Sequence, residues 1–259
     1  MVAVTSLLRL AAIVLLNPLK GAEAARRFNR RSDLDNVPPI NASAAAHWTV
    51  PLQGSRTCDA GQHCISSLSA PPLTKPLQYL AIARGFYMYL CPGKSLNEAA
   101  QFQSQSTQLY DAAPLIPNLP NEAAFHELPA RLYDFDYAQL RNTTLECMGT
   151  IGTDNKTAIV TLFEIATFEA LPYESVLPPD NTDVDGRWAH SVSRKRDWDI
   201  YRVKTAGGTP PICDGTRFMA EKEYTAEYWF YYAGGEDLWT PTDVKREEST
   251  IAQDMPALI

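Results

Sequence analysis

Two side chains of this 259-residue chain stand out as able to act on a small molecule: Arg202 and His190, each set among apolar and aromatic residues. Trp198 to Thr205 alternates as a strand, and a period of two puts Arg202 on the same face as Trp198 and Ile200. Unless that strand is an edge, the guanidinium must find an anion, a carbonyl or a ligand oxygen. The plain structural answer is an ion pair with Glu227 or another acid. The functional expectation is that Arg202 and His190 polarise a carbonyl-type oxygen, while Tyr87, Trp188 and Tyr228 shape an apolar cavity for a hydrophobic small molecule. Nine Phe, twelve Tyr and five Trp supply the apolar bodies and polar tips that such a cavity uses.

Other chemistries lose support by motif. There is no Gly-x-Ser-x-Gly, no phosphate loop and no Gly-x-Gly-x-x-Gly after a strand, which argues against serine hydrolases and nucleotide enzymes. None of His47, His63, His126 and His190 has a second histidine three or four residues away, so neither a metal nor a cofactor is expected. His126-Glu127 opens like a zincin helix, but Pro129 intervenes and His126 is read as structural. Asn181-Thr-Asp183-Val-Asp185-Gly186 imitates the start of a calcium loop. Its twelfth position is Val192 rather than Glu, and Pro178-Pro179 stand where a helix should enter, so an ordinary acidic turn is expected. Asp134 and Asp136 are read as solvated loop acids rather than a glycosidase pair. A net charge of −7 opposes nucleic acid as a partner.

The elements that must position these groups are mostly strands. Leu77 to Cys91 is rich in aromatic and branched residues and ends at Pro92-Gly93, as a bent strand or strand pair would. Thr157 to Phe168, Trp198 to Thr205 and Tyr224 to Tyr232 have the same character. In the last run, Tyr224, Ala226, Tyr228, Phe230 and Tyr232 share one face, with Thr225, Glu227, Trp229 and Tyr231 on the other. Both faces are largely apolar, which predicts a central strand. Ser95 to Tyr110 is predicted as a helix, with Ser95 and Glu98 forming a capping box. The fold class expected is mainly β: a single-domain β-barrel or β-sandwich with few short helices.

The apolar run Leu10 to Leu16 and the small-x-small triplet Ala22-Glu-Ala24 predict a signal peptide over residues 1–24. Residues 25–70 are expected to be an N-terminal arm or leader, 71–235 the β-rich core and 236–259 a polar acidic tail. No later apolar run reaches the roughly 20 residues that span a bilayer, so no membrane is expected. Sequons at Asn41, Asn142 and Asn155 predict glycosylation, with Asn142 and Asn155 in surface turns. Cys58, Cys64, Cys91, Cys147 and Cys213 imply two disulfides and one leftover thiol, read as an inert buried residue. Cys58 and Cys64 enclose only five residues and can close a local loop; several connectivities stay open. The oligomeric state is not legible.

The segment Asp199-Ile-Tyr-Arg-Val-Lys-Thr-Ala-Gly-Gly-Thr-Pro-Pro-Ile-Cys213, followed by Tyr224-Thr-Ala-Glu-Tyr-Trp-Phe230, resembles a fungal secreted family of unknown function. The resemblance runs from about Pro71 to Gly235. Gly85-Phe-Tyr-Met-Tyr-Leu-Cys91 matches the family's Gly-aromatic-Cys strand. Gly149-Thr-Ile-Gly152 matches a segment that many relatives continue with His, where this chain has Asp154 and Asn155, so no role of that histidine carries over. Members are often labelled malate dehydrogenase, which the missing dinucleotide fingerprint contradicts. The resemblance implies a mostly β fold, a Cys91–Cys213 disulfide and Cys147 as the odd thiol, and no established catalytic residues. By analogy with motif-poor secreted fungal pericyclases, hetero-Diels-Alderases among them, a dry pocket that holds two partners in near-attack geometry suits such a chain. The other expectation is a secreted binding or structural protein at a cell wall or host surface, with no turnover.

Overall fold

The computed structural model describes residues 48–58, 63–93, 96–141, 143 and 145–233. The expected signal peptide, the first part of the arm, Asn41, Asn142 and the acidic tail lie outside the described residues. The strands are β1 Gln53–Thr57, β2 His63–Ser67, β3 Leu77–Pro92, β4 Leu96–Ala99, β5 Gln101–Asp111, β6 Cys147–Asp154, β7 Thr157–Leu162, β8 Ala166–Val176, β9 Trp188–Ser193, β10 Trp198–Gly207, β11 Ile212–Asp214 and β12 Arg217–Tyr232. Eight of them close a barrel in the order β3, β5, β6, β7, β8, β9, β10, β12, each antiparallel to the next, with β12 returning to β3. Closure removes the unpaired edges that open sheets must protect. It also turns strand alternation into an inside and an outside.

Inside, β12 contributes Tyr224, Ala226, Tyr228 and Phe230, packed against Ala81, Ala83, Tyr87 and Tyr89 of β3 and Trp198 and Ile200 of β10. Outside, Trp229 and Tyr231 of β12, Leu80 and Ile82 of β3 and Tyr201 of β10 form a second core. That core is covered by a 3-10 helix, Ala113–Asn118, and by short helices α1 Glu122–His126 and α2 Leu128–Leu132; α3, Tyr137–Arg141, follows. Both faces of β12 from Tyr224 to Tyr231 are therefore buried, as the sequence of that run predicts. Part of the expected arm is ordered: β1 and β2 pair as a hairpin, and Ser55 exchanges backbone hydrogen bonds with Leu177 at 2.8 and 2.7 Å.

Two histidines pin this outer layer, His190 buried and His126 half-buried. On α1, His126 Nδ1 lies 2.8 Å from the fully buried Glu227 of β12, so His126 is structural. On β9, His190 sits between two carboxylates, Nε2 2.7 Å from Asp199 and Nδ1 3.1 Å from Glu174. Its ring stacks on Tyr201 at 4.2 Å and meets the edge of Tyr173. The same carboxylates hold the incoming chain: Lys75 pairs with Asp199, and Glu174 accepts from the backbone N–H and hydroxyl of Ser69. Tyr201 donates to the Ser69 carbonyl. Burial alone would lower the His190 pKa, but the hydrogen bonds and charges of Asp199 and Glu174 outweigh it and hold the pKa above 6.5. For the two carboxylates burial works upward, and the bonds from His190, Lys75 and Ser69 win, leaving both below their ordinary values.

The disulfides join Cys58 to Cys64 and Cys91 to Cys213, and suggest an oxidising, secretory-type environment. The second ties the end of β3 to β11, whose pairing with β4 forms a flap beside the barrel. Cys147 is free but exposed, not buried as expected, because it begins β6 at the barrel rim. Asn155 is exposed in the β6–β7 turn, as expected. Among the described residues no helix is long and apolar enough to cross a membrane.

Two sequence expectations fail locally. The predicted helix over Ser95 to Tyr110 is β4 and β5; Ser95 itself lies outside the described residues. Phe102, Gln105, Thr107 and Leu109 turn inward, so the Gln/Ser-rich composition hides a strand whose pairing with β3 overrides weak helical signals. Thr157 to Phe168 is not one strand either. It turns at Phe163 to Ile165, where Glu164 takes φ +61°, and continues as β8.

Thiol titration of unreduced, denatured protein is expected to find one free thiol, and native protein to label at Cys147; five free thiols would refute the disulfides. Cys213→Ser, which opens a link spanning 122 residues, is expected to cost about 2–5 kcal/mol in denaturant unfolding. The raised His190 pKa gives stability that is fully present below the unfolded value of 6.5 and lost as pH rises through the folded one. Glu174 and Asp199 add stability that is lost as pH falls through their lowered pKa values. The melting-temperature gap between wild type and His190→Gln is therefore expected to be widest between about pH 5 and 6.5 and to shrink above it; a gap constant from pH 5 to 9 would refute the charged clasp.

Candidate functional site

Cross-strand partners share a face, so the register of β9 and β10 decides which candidate side chains meet. Arg202 pairs with Ala189 and Tyr201 with His190. Arg202 therefore points into the barrel beside Ala189, whereas His190 and Trp188 point out with Tyr201. The expected joint action of Arg202 and His190 on one oxygen is not possible across the sheet: His190 is bound up in the Asp199–Glu174 clasp. Trp188 packs in the outer core under the Lys204 ammonium, 5.4 Å from its ring centroid, and lines no interior cavity. Glu227 also lies outside, so the ion pair offered as the structural partner of Arg202 does not form.

Three of the five residues do come together. Arg202 donates from one terminal nitrogen to the Tyr87 hydroxyl at 2.6 Å and from the other to the Arg187 carbonyl at 2.9 Å. Its guanidinium lies 5.5 Å from the Tyr87 ring centroid. Tyr87 stacks on Tyr224 at 4.2 Å, and the Tyr224 hydroxyl lies 2.7 Å from Thr107 Oγ1 and 3.2 Å from the Tyr228 hydroxyl. Gly85 lies between Thr107 and Tyr224 in the sheet. A Cβ there would come within 2.5 Å of Thr107 Oγ1, so the Thr107–Tyr224 contact needs glycine at this position. The Tyr89 hydroxyl turns away to the Gly208 carbonyl, at 2.9 Å.

Burial lifts the phenols of Tyr87, Tyr224 and Tyr228 well above 10.0, and that of Tyr89 to about 12, against the opposing pull of Arg202. All four are neutral hydroxyls near pH 7. Among the described residues no carboxylate is in ion-pair contact with Arg202, although the residue is only 8% exposed. Its Nε has no hydrogen-bond partner, and neither has Gln105 Oε1, across the same cavity. Partial burial and then the charge of Arg202 lower the pKa of Arg187, which is held by Ser175 at the head of β9.

The cavity measures about 30 Å³ and is lined by Gln105, Ile151, Ala158, Val160, Ala170, Ala189, Ser191, Ile200, Arg202 and Tyr228. Alanines and Ser191 on β7, β8 and β9 create the space opposite the aromatic wall of β3 and β12. That volume suits roughly two waters. Chemically, the site offers a buried cation, neutral phenols and an apolar floor. Sequence reasoning missed Gln105, concealed in the misread helix, and Tyr224, which its own face assignment had placed beside Tyr228. Elsewhere Asp185 accepts from the Gly207 N–H inside the acidic turn, and Asp136 caps α3 through Gln139. Among the described residues no group of three His, Cys, Asp or Glu side chains is placed to hold a metal ion.

No curated protein and no solved structure matches the chain. A family model described as a protein of unknown function (DUF3455) matches residues 72–232, which takes in all eight barrel strands and both ends of the Cys91–Cys213 bridge. With more than half of its length matched, the chain belongs to the DUF3455 family.

Proposed function

We propose that the barrel interior binds a hydrophobic small molecule and that Arg202, rather than a metal or a nucleophile, polarises one of its oxygens. The observation that carries this reading is the Arg202 Nε–H, a buried, charged donor without a partner, beside a cavity floored by Ile151, Val160, Ile200 and three alanines. Desolvating an unpaired cation costs several kcal/mol, so the arrangement disfavours the empty site unless binding uses it. In this reading Tyr87 and Tyr228 fix the guanidinium and shape the wall, and Arg202 acts without His190.

In its finer form the proposal is a cofactor-free pericyclase, hetero-Diels-Alderase-like, of fungal secondary metabolism. A cycloaddition needs orientation and a polarised partner, both of which a rigid barrel can supply. The protein would work in the secretory pathway after loss of a signal peptide, glycosylated at Asn155 and at the Asn41 and Asn142 sequons. One observation favours the second reading, a secreted binding or structural protein without turnover: the aromatic side chains nearly fill the barrel.

Xenon under pressure, a compact neutral apolar probe, is expected to raise the melting temperature of the wild type and to lose this effect in Ala189→Leu, which fills the cavity. No shift in the wild type would favour the second reading. Arg202→Met is expected to melt no lower than the wild type, since it removes an unpaired buried charge. It should also lose roughly a hundredfold in any cycloaddition rate the wild type supports; full activity would refute the role of Arg202.

A further inference from the structure

On the outer wall, His190 makes two polar contacts that a neutral ring cannot sustain together. Its Nε2 lies 2.7 Å from Asp199 and its Nδ1 3.1 Å from Glu174. An ionised carboxylate only accepts, and a neutral imidazole carries one N–H, so the imidazolium alone donates to both. The two acids are not equivalent. Asp199 is 5% exposed and also takes the Lys75 ammonium, whereas the Glu174 side chain is 27% exposed and borders solvent. Around the ring, Glu174 and Tyr173 come from β8, Asp199 and Tyr201 from β10, and Ser69 and Lys75 from the incoming chain, with Tyr231 of β12 behind Tyr201. A deprotonated ring keeps its one N–H for the buried Asp199 and turns a lone pair toward Glu174.

We infer that His190 is a charge-operated latch on the segment joining β2 to β3: as the imidazolium it holds Glu174 under Ser69, and on losing its proton it releases both. Ser69 gives Glu174 its backbone N–H and its hydroxyl, and without them only the Tyr201 hydroxyl still reaches the Ser69 carbonyl. Residues 70–74 are mostly exposed, Leu73 fully so, and bury little surface of their own to hold them down. The start of the arm is fastened differently, by the backbone pair of Ser55 with Leu177 and by the Thr49 N–H on Glu122, so the opening is local. With the His190 pKa held above its ordinary value, the latch is shut at acid pH and opens as pH rises through that value. Opening admits water to Tyr201, which is fully buried beneath Ser69 when the latch is shut.

The test is amide hydrogen exchange of the full chain, read residue by residue at about pH 5.5 and about pH 8.5 and corrected for the intrinsic pH dependence of exchange. The Ser69 amide is expected to lose about tenfold or more of its protection at the higher pH, the size of effect typical of a hydrogen bond to a charged group. The Ser55 and Leu177 amides, bonded backbone to backbone, should keep theirs. In His190→Gln the Ser69 protection is expected to be the same at both pH values, a loss of pH dependence that ring packing alone would not produce. Equal Ser69 protection at both values in the wild type, or a parallel loss at Ser55 and Leu177, overturns the latch. A pH dependence that survives His190→Gln belongs to another group and overturns it too. Should His190→Gln fail to fold, Glu174→Gln decides: its side-chain amide can donate to the neutral ring, so the Ser69 pH dependence is expected to vanish there, and its persistence overturns the proposal.

Discussion

The antiparallel pairing of β12 with β3, running from Arg217↔Pro92 to Tyr231↔Leu77, is the interaction on which the rest of the molecule depends. It joins the last barrel strand to the first and makes a closed barrel of what would be an open eight-stranded sheet. Without it, Tyr224, Tyr228 and Phe230 would face water, and both cores would lose a wall. The pairing is long-range in sequence, so forming it costs loop-closure entropy that local contacts do not offset. The Cys91–Cys213 bridge beside its Phe218↔Cys91 pair holds that closure covalently.

Closure also sorts side chains by parity. Glu227 and Tyr228 are neighbours in sequence, yet one is sealed under α1 with His126 and the other faces the cavity. Asp199 and Glu174 fall outside by the same rule and are used to clasp His190 and the incoming chain at Ser69 and Lys75. The outer layer therefore depends on contacts between acids and histidines, whereas the interior depends on stacked phenols. Each half of the barrel wall keeps its own kind of polar chemistry, and the backbone between them keeps the two apart.

Much of this was legible in the sequence where alternation is strong. The Tyr224 to Tyr232 run shows its two faces directly, and the placement of Arg202 with Trp198 and Ile200 follows from the same period. Legibility ends where the answer depends on register. The sequence marks His190 and Trp188 as half-buried donors among aromatics, but only the pairing of Ala189 with Arg202 reveals that they point away from the cavity. β5 escaped for another reason: its inward positions include Gln105 and Thr107, polar residues that a barrel interior accepts and a hydrophobic pattern does not count. The β7–β8 turn was invisible because Glu164, rather than glycine or asparagine, adopts the left-handed backbone there.

The segregation of charge across the wall explains why the interior retains an unpaired cation at all. Two buried carboxylates, Asp199 on the strand that carries Arg202 and Glu227 on its neighbour β12, are each committed to a histidine on the outer face. Moving either of them to the inner face would take a one-residue register slip, which would also turn every aromatic of that strand inside out. Evolution of a closed barrel thus cannot neutralise Arg202 cheaply by shifting an existing acid; it would need a new one at an inward position such as Ala189 or Ser191. Those positions carry small side chains, and a carboxylate there would occupy the space opposite the guanidinium. A small residue facing an uncompensated arginine is what a site for an external oxygen requires, whereas a purely structural arginine would be better served by the acid.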